Sequence, residues 1–305
     1  MSPEPDDDQL VSVDGHQFKL KRLDKVLYPE AGTTKAQVLD YYARIAPVLL
    51  PQLADRPVTR IRWPDGTDSK PFFEKNVPSY APSWLRTVKL PTPGSSRNLE
   101  TLVFPVIEQT ADLIWLANLA ALELHVPQWT VGPRGAVRNP NRLVIDLDPG
   151  PPAGLPECAE AAQVIQERLA EDGLASIPVT SGSKGLQLYV ALDGSQSADV
   201  VIGYAKRLAE SLARSHPKLM VSNMTKVLRA GKVLLDWSQN NPAKTTICPY
   251  SLRGRAQPWV AAPRTWQELS APGLSQLDTA EVLRRVDSVG DLAAGLLDGA
   301  ARLPA

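Results

Sequence analysis

Apolar residues recur at near-helical spacing after Thr34, where Val38, Leu39, Tyr42, Ile45 and Ala46 would line one face of a helix. A turn in DKVLYPEAGTTK precedes it. Alternation replaces that spacing in VTRIRW (58–63), which predicts a strand with Arg60 and Arg62 on one face. The Pro- and Ser-rich stretch at 77–98 predicts a long irregular region, and loops of that length are often functional. SSRNLETLVFPVI returns to extended chain, and DLIWLANLAALELHV predicts an apolar helix.

From Arg142 the elements shorten. RLVIDLD is an apolar strand stopped by Pro149 and Gly150, and LPECAEAAQVIQERLAEDG is a helix ended by Gly173. IPVTSGSKGLQLYVALD reads as strand, glycine turn, strand, and ADVVIGYAKRLAESLARSH as a further helix. TKVLRAGKVLLDWSQ predicts a hairpin turned at Ala230-Gly231. No repeat or low-complexity tract interrupts this mixture, which belongs to the α+β class. The expected organisation is an acidic leader (1–15) and a single domain (16–300). Within that domain an N-terminal lobe (about 16–140) packs on a central core (about 141–265), and a helical segment (266–300) follows.

Composition narrows the class. The 305 residues carry 33 Lys+Arg against 33 Asp+Glu and are 43% hydrophobic, which fits a globular protein and excludes disordered or collagen-like chains. Cys158 and Cys248 are too few for a disulfide framework and lack metal-ligand spacing, so a reducing compartment is expected. The start, MSPEPDDDQL, is acidic where a signal peptide is basic, and there is no apolar run of about 18 residues. A cytoplasmic protein without a membrane segment is the expectation. The overall balance hides a local excess: residues 218–264 hold eight bases and one acid, Asp236. Such a block either faces phosphates or forms a solvated surface with acids from elsewhere.

Candidate chemistry begins with Asp146 and Asp148. At i and i+2 of a strand they share one face, and the Pro-Gly that follows leaves them at the strand's rim. Such a pair either holds a divalent cation or serves as turn chemistry. Asp236 ends the apolar strand GKVLLD, where an unpartnered acid is costly, so it either joins the pair at a metal or pairs with a basic neighbour. Three such carboxylates suit two-metal phosphoryl transfer. TSGSKGLQLYV is no Walker A loop, because a strand rather than a helix follows. It still offers backbone N–H groups, the hydroxyls of Ser181 and Ser183, and Lys184 as a triphosphate cradle, or else a plain β-turn. Lys244, Arg253 and Arg255 flank a short strand, with Arg229 and Lys232 just before it. In the N-terminal lobe, Lys25 and Lys35 flank a turn. Phe72 and Phe73 of FFEK, with Lys75 and the strand residue Arg62 nearby, either stack on bases or pack in separate clusters.

LVIDLDPG, TSGSKGLQLYV, LLDWSQNNPAKTTICPYSLRGR, ALELHVPQW, FFEKN and DKVLYPEAGTTK together resemble the polymerase domain of bacterial ligase D, a primase–polymerase of the archaeo-eukaryotic primase superfamily. The likeness runs in order from about residue 16 to 295. It implies that Asp146, Asp148 and Asp236 bind catalytic metal, two Mn²⁺ or Mg²⁺ ions, with manganese preferred. Ser181, Ser183, Lys184, Gln187, Arg229, Lys244, Arg253 and His125 are then placed at the nucleoside triphosphate. Lys25 and Lys35 match a pocket for the 5′-phosphate of gapped or broken DNA, Phe72 and Phe73 match template-stacking aromatics, and Lys75 and Arg62 belong to the same DNA-binding lobe. The implied activity is template-dependent extension of a primer across short gaps, with NTPs or dNTPs, in end joining with Ku and a DNA ligase. The implied setting is the bacterial cytoplasm, at the nucleoid.

One position departs from the family pattern S-G-x-K-G-x-H, for Gln187 stands at the histidine. Glutamine donates a hydrogen bond but never carries a positive charge. An alternative is therefore a gap- or end-binding module with impaired catalysis. A third reading, a sugar transferase using its D-x-D, leaves the lysines and the basic block unexplained. No ligase or nuclease module accompanies the polymerase-like segments, so the chain reads as a stand-alone polymerase or a piece of a longer protein.

Overall fold

The computed structural model describes residues 8–92 and 100–304. The expected leader is structured from Gln9 onward: Gln9–Val13 pairs with His16–Leu20 around Asp14 and Gly15, both at positive φ (50° and 79°). That is the backbone a two-residue hairpin turn requires. Residues 1–7 of the leader lie outside the described residues. Thr34 caps the helix Lys35–Leu53 reciprocally, accepting from the Gln37 N–H while the Gln37 side chain accepts from its own. The five apolar positions read from the sequence are buried there. Tyr41 on the same helix donates to the Tyr250 carbonyl at 2.7 Å, tying it to the C-terminal third of the chain.

Four strands form the first sheet, in the order Thr246–Ile247, Ala121–Val126, Thr59–Arg62, Phe72–Glu74. The apolar run expected as one helix divides. Thr110–Asn118 is helical, Ala120 turns the chain at φ 58°, and Ala121–Val126 is an inner strand. Both faces of that strand are covered, and its Leu-Glu-Leu-His-Val alternation follows the helix with no Gly or Pro between, so the two elements read as one apolar run. Arg60 and Arg62 share a face as expected, but both reach Glu74, at 3.1 and 2.8 Å.

The second sheet has six strands, ordered Met220–Val221, Val233–Asp236, Arg142–Pro149, Leu186–Ala191, Ile177–Thr180, Ala262–Pro263. Strand alternation divides its two faces. Leu143, Ile145 and Leu147 pack with Ile165 and Leu169 of the helix Leu155–Glu171 and with Leu208 and Leu212 of the helix Ala198–Ser215. Val144 and Tyr189 on the opposite face join the core under the first long helix, to which Arg142 is tied through Gln52 at 2.7 Å. Asp146, Asp148 and Gln187 share that second face, beyond the point where the core ends.

Two further expectations are corrected. Lys226–Arg229 is a 3₁₀ turn rather than a hairpin arm. Gly231 instead donates to the carbonyl of Gly150, and Val233–Asp236 finds its partners in Arg142–Pro149 and, in parallel, Met220–Val221. The local turn signal named the bend but not the non-local strands that compete for it. The region at 77–98 is not wholly irregular: Thr87–Pro91 pairs with Thr101–Pro105. Positions 93–99 lie outside the described residues. Arg86 in this region is held by Asp55 at 2.8 Å and Glu108 at 2.5 Å. None of the described helices is long and apolar enough to cross a membrane.

Candidate active site: three carboxylates in a cationic cleft

Register builds the site. Asp146 stands opposite Asp236 on one neighbouring strand and opposite Gln187 on the other, so the three side chains form one row across the sheet. Directly opposed side chains on antiparallel strands have Cβ atoms about 5 Å apart. Asp148, two residues along, adds a third carboxylate, and ligand oxygens of Asp146, Asp148 and Asp236 all lie within 4.8 Å of one another. Burial pushes the Asp146 carboxyl up to about 8, with the charge of Asp148 adding to it and a hydrogen bond from Gln187 opposing it. Partial desolvation, then Asp236, raises Asp148 as well. Like charges gathered in this way fit a divalent cation, which would satisfy all three.

Polar neighbours fix two of the three acids. Gln187 Nε2 donates to Asp146 Oδ1 at 3.1 Å, and the Tyr189 hydroxyl lies 3.0 Å from the other end of the same amide. Asp236 accepts from the Ser238 N–H at 3.0 Å, from the Ser238 hydroxyl, and from Gln239 Nε2 at 2.9 Å. Lys244 donates to Ser238 Oγ and stands 4.0 Å from Asp236, so it acts on the acid chiefly through that hydroxyl.

A cleft of about 800 Å³ opens over Asp146, Asp148 and Gln187. Of the residues expected at a triphosphate, His125, Ser181, Ser183, Lys184, Gln187, Arg229 and Arg253 line it. Lys244 is not among the lining residues; it reaches the acids only through Ser238 and Asp236. The glycine turn differs from expectation in how it would hold an anion. Ser181 Oγ accepts from the N–H groups of Ser183 and Gly185, and the Gly182 N–H donates to Gln276 at 2.7 Å. Those N–H groups are occupied, so the turn's offer to a phosphate comes from the Ser183 hydroxyl and the exposed Lys184 ammonium. Gly182 itself, at φ +66°, lies so close to Arg253 that a Cβ would stand 2.5 Å from its Cγ. The turn and that arginine are thus fitted to each other.

The basic block divides. Arg229, Arg253 and Arg255 face the cleft, whereas Arg264 is buried against Glu268 and the carbonyl of Ser275. Thr246, Trp259 and Gln239 also line the cleft. Thr246 and Gln239 fall within the LLDWSQNNPAKTTICPYSLRGR segment but are not singled out there, although Gln239 follows Asp236 by only three residues; no sequence signal marks Trp259.

The lobe expected to bind DNA forms a separate cluster. The Lys35 N–H donates to the Lys25 carbonyl at 2.8 Å, which brings the two lysines together, with Lys21 and Arg22 beside them. Lys25 Nζ pairs with Asp65 at 3.1 Å. Lys35 is only 6% exposed, and its Nζ donates to the Lys21 carbonyl at 2.6 Å. Phe72 and Phe73 are both 54% exposed at the sheet's edge strand, so neither belongs to a core cluster. Lys75 is half-buried beside them. Arg62 is committed to Glu74 and to the Leu119 carbonyl.

Three converging acids below hydroxyl, lysine and arginine groups define a site suited to a metal ion and a phosphorylated ligand. The particular family follows from comparison: the chain belongs to the LigD primase-polymerase domain family, whose profile matches residues 34–293. It is 48% identical over 286 residues to the multifunctional non-homologous end joining DNA repair protein LigD of Mycobacterium tuberculosis, covering 92% of this chain and 37% of that protein. LigD of Mycolicibacterium smegmatis is 49% identical over 282 residues, covering 92% and 36%, and bifunctional LigD of Bacillus subtilis 35% over 278 residues, covering 90% and 43%. The chain thus spans little over a third of the length of these mycobacterial relatives. The solved polymerase domain of M. tuberculosis ligase D in complex with DNA superimposes with a TM-score of 0.87 at 48% identity, over 94% of this chain and 99% of that one. The α+β architecture and the family resemblance read from the sequence both hold.

Proposed function

We propose that this chain is a template-dependent nucleotidyl transferase that extends a primer 3′-hydroxyl across short gaps in 5′-phosphorylated DNA during break or excision repair. The convergence of Asp146, Asp148 and Asp236 within 4.8 Å, under a cleft walled by cationic and hydroxyl groups, carries this reading. Two Mn²⁺ or Mg²⁺ ions at these acids would lower the pKa of the attacking hydroxyl and neutralise charge on the departing pyrophosphate. Asp146 and Asp236 are held for that task by their register and by the amide and hydroxyl donors behind them. Ser183, Lys184, Arg229 and Arg253 would take the triphosphate of an NTP or dNTP, and the cluster at Lys25 and Lys35 the 5′-phosphate beyond the gap. Phe72 and Phe73 would stack on the template strand. A relative solved with DNA supports DNA as the polymeric substrate, which we take to be gapped or broken duplex. Relatives named for non-homologous end joining support break repair as the setting; within that setting we propose Ku and a ligase as partners, in the bacterial cytoplasm at the nucleoid.

Extension of a labelled primer on a short 5′-phosphorylated gap, with Mn²⁺ and either NTPs or dNTPs, tests the proposal beside Asp146→Ala. Extension by the wild type and none by the variant is the expected result. Binding that depends on the 5′-phosphate without any extension would favour an end-binding module in its place.

A further inference from the structure

Glu123 lies on the inner strand Ala121–Val126 and is only 4% exposed. A carboxylate buried to that degree is costly unless donors hold it. Three do. His125 Nε2 stands 2.7 Å from Oε2, Arg253 Nη1 stands 3.3 Å from the same oxygen, and the Gly254 N–H donates to Oε1 at 3.0 Å. Burial raises the Glu123 carboxyl, but these hydrogen bonds and charges outweigh it and hold the group below its usual range. It is therefore an anion with two cleft-lining groups as its ligands.

Two nitrogens of these groups have no protein partner among the described residues. With Nε2–H committed to Glu123, the His125 nitrogen left without a partner among the described residues is Nδ1. Arg253 Nε is a buried donor without a protein acceptor, a condition that native interiors rarely tolerate unless a ligand supplies one. The backbone around Arg253 is fixed from three directions. Tyr28 donates to its carbonyl at 2.9 Å, Glu123 holds the next N–H, and Gly254 lies against the Trp63 ring so closely that a Cβ would stand 2.3 Å from it.

We propose that Glu123 is a positioning residue that holds His125 and Arg253 against the triphosphate of the incoming nucleotide, a role that rests on the nucleotidyl-transfer reading above. Its charge lets the two groups approach one anion from the same side. Without it, Arg253 is drawn toward Asp146 and Asp148, whose charges it already feels, and there it competes with metal. Glu123 touches no substrate itself, so its loss acts on nucleotide binding and not on DNA binding.

Glu123→Gln tests this, since the amide keeps the shape and an acceptor for the Gly254 N–H while removing the charge. The expected result is a KM for nucleotide raised about tenfold, with kcat and the affinity for nucleotide-free gapped DNA within about twofold of wild type. In an Arg253→Gln background the same substitution should cost less than about threefold, because only His125 of the two groups it positions remains. A KM within about twofold of wild type, or equal penalties in both backgrounds, overturns the inference. Should Glu123→Gln fail to fold, Glu123→Asp carries the test: with charge kept but reach shortened, a rise in KM of at least about threefold is expected, and a wild-type KM overturns it. A wild-type protein that neither binds nor incorporates nucleotide would overturn the polymerase reading together with this one. Wild-type extension with an unchanged variant would overturn this one alone.

Discussion

Asp146 and Asp236 face each other across adjacent antiparallel strands, and each has an amide donor at its back, Gln187 for the first and Gln239 for the second. Two acids at opposed positions destabilise a sheet unless something positive lies between them.

Removing one of them should therefore stabilise the metal-free protein. The Asp146 carboxyl is raised to about 8 in the fold from an ordinary 3.8, so the stability it permits is fully present below about pH 4 and is lost as pH rises through about 8. In chelator at pH 8, Asp146→Asn should melt about 2–4 °C above wild type, and the gap should close toward pH 5. Added Mn²⁺ should raise the wild-type melting temperature and leave the variant nearly unmoved. Scanning fluorimetry across pH, with and without metal, decides this; a variant that melts lower at pH 8 contradicts it.

Lys35 supplies a pH dependence of opposite origin. Burial, then Arg22 and Lys25, pushes its ammonium from 10.5 down to about 8. Its folded value lies below its unfolded one, so its contribution to stability is present above about pH 10.5 and is lost as pH falls through about 8. A 5′-phosphate needs the charged form. The preference for 5′-phosphorylated over 5′-hydroxyl gaps should therefore weaken above pH 8, by up to about tenfold per pH unit. With Lys35→Met it should be small and flat with pH. Anisotropy titrations at pH 7, 8 and 9 with both DNAs measure it.

Some of this was legible in the chain and some was not, for reasons particular residues make clear. The D-x-D strand could be read because a period of two and a Pro-Gly stop are local, as are the Thr34 cap and the helix it starts. Which strand would bring Asp236 opposite Asp146 depends on pairing between segments about ninety residues apart, which no local pattern encodes. The same distance hid Gln276, which takes the Gly182 N–H that the turn was expected to offer a phosphate. The shared face of Arg60 and Arg62 is legible, but not that Glu74, on the next strand, pairs with both and so commits Arg62, expected to serve DNA. Ala121–Val126 merges with the helix before it because no Gly or Pro separates its short Leu-Glu-Leu-His-Val alternation from the apolar run that precedes it.

Phe72 and Phe73 make little contribution to the core, being 54% exposed each. Replacing either by Ala should leave the melting temperature within about 2 °C of wild type. Affinity for a gap with unpaired template bases should fall roughly five- to a hundredfold, the usual worth of one base stacked on one ring. A nicked duplex without unpaired template should bind the variants as it binds wild type. Equal losses on both DNAs would mean that the rings support duplex contacts rather than the template.

Gln187 tests how the row of polar groups serves the acids. Its amide donates to Asp146 at 3.1 Å, and its other end meets the Tyr189 hydroxyl at 3.0 Å, so the side chain is oriented and carries no charge at any pH. Gln187→Leu keeps the bulk and removes the donor. Extension should fall about tenfold, with the larger part of the loss in metal affinity, read by Mn²⁺ titration. Gln187→His, the residue of the family pattern, keeps an N–H donor and adds a group that titrates near 6.5. Its KM for nucleotide should drop at pH 6 relative to pH 8, because an imidazolium attracts triphosphate, whereas the wild-type KM should show no such fall. If the wild type extends no primer and Gln187→His does, the glutamine is the cause of a silent active site. If both extend, the hydrogen bond to Asp146 suffices and the positive charge is dispensable.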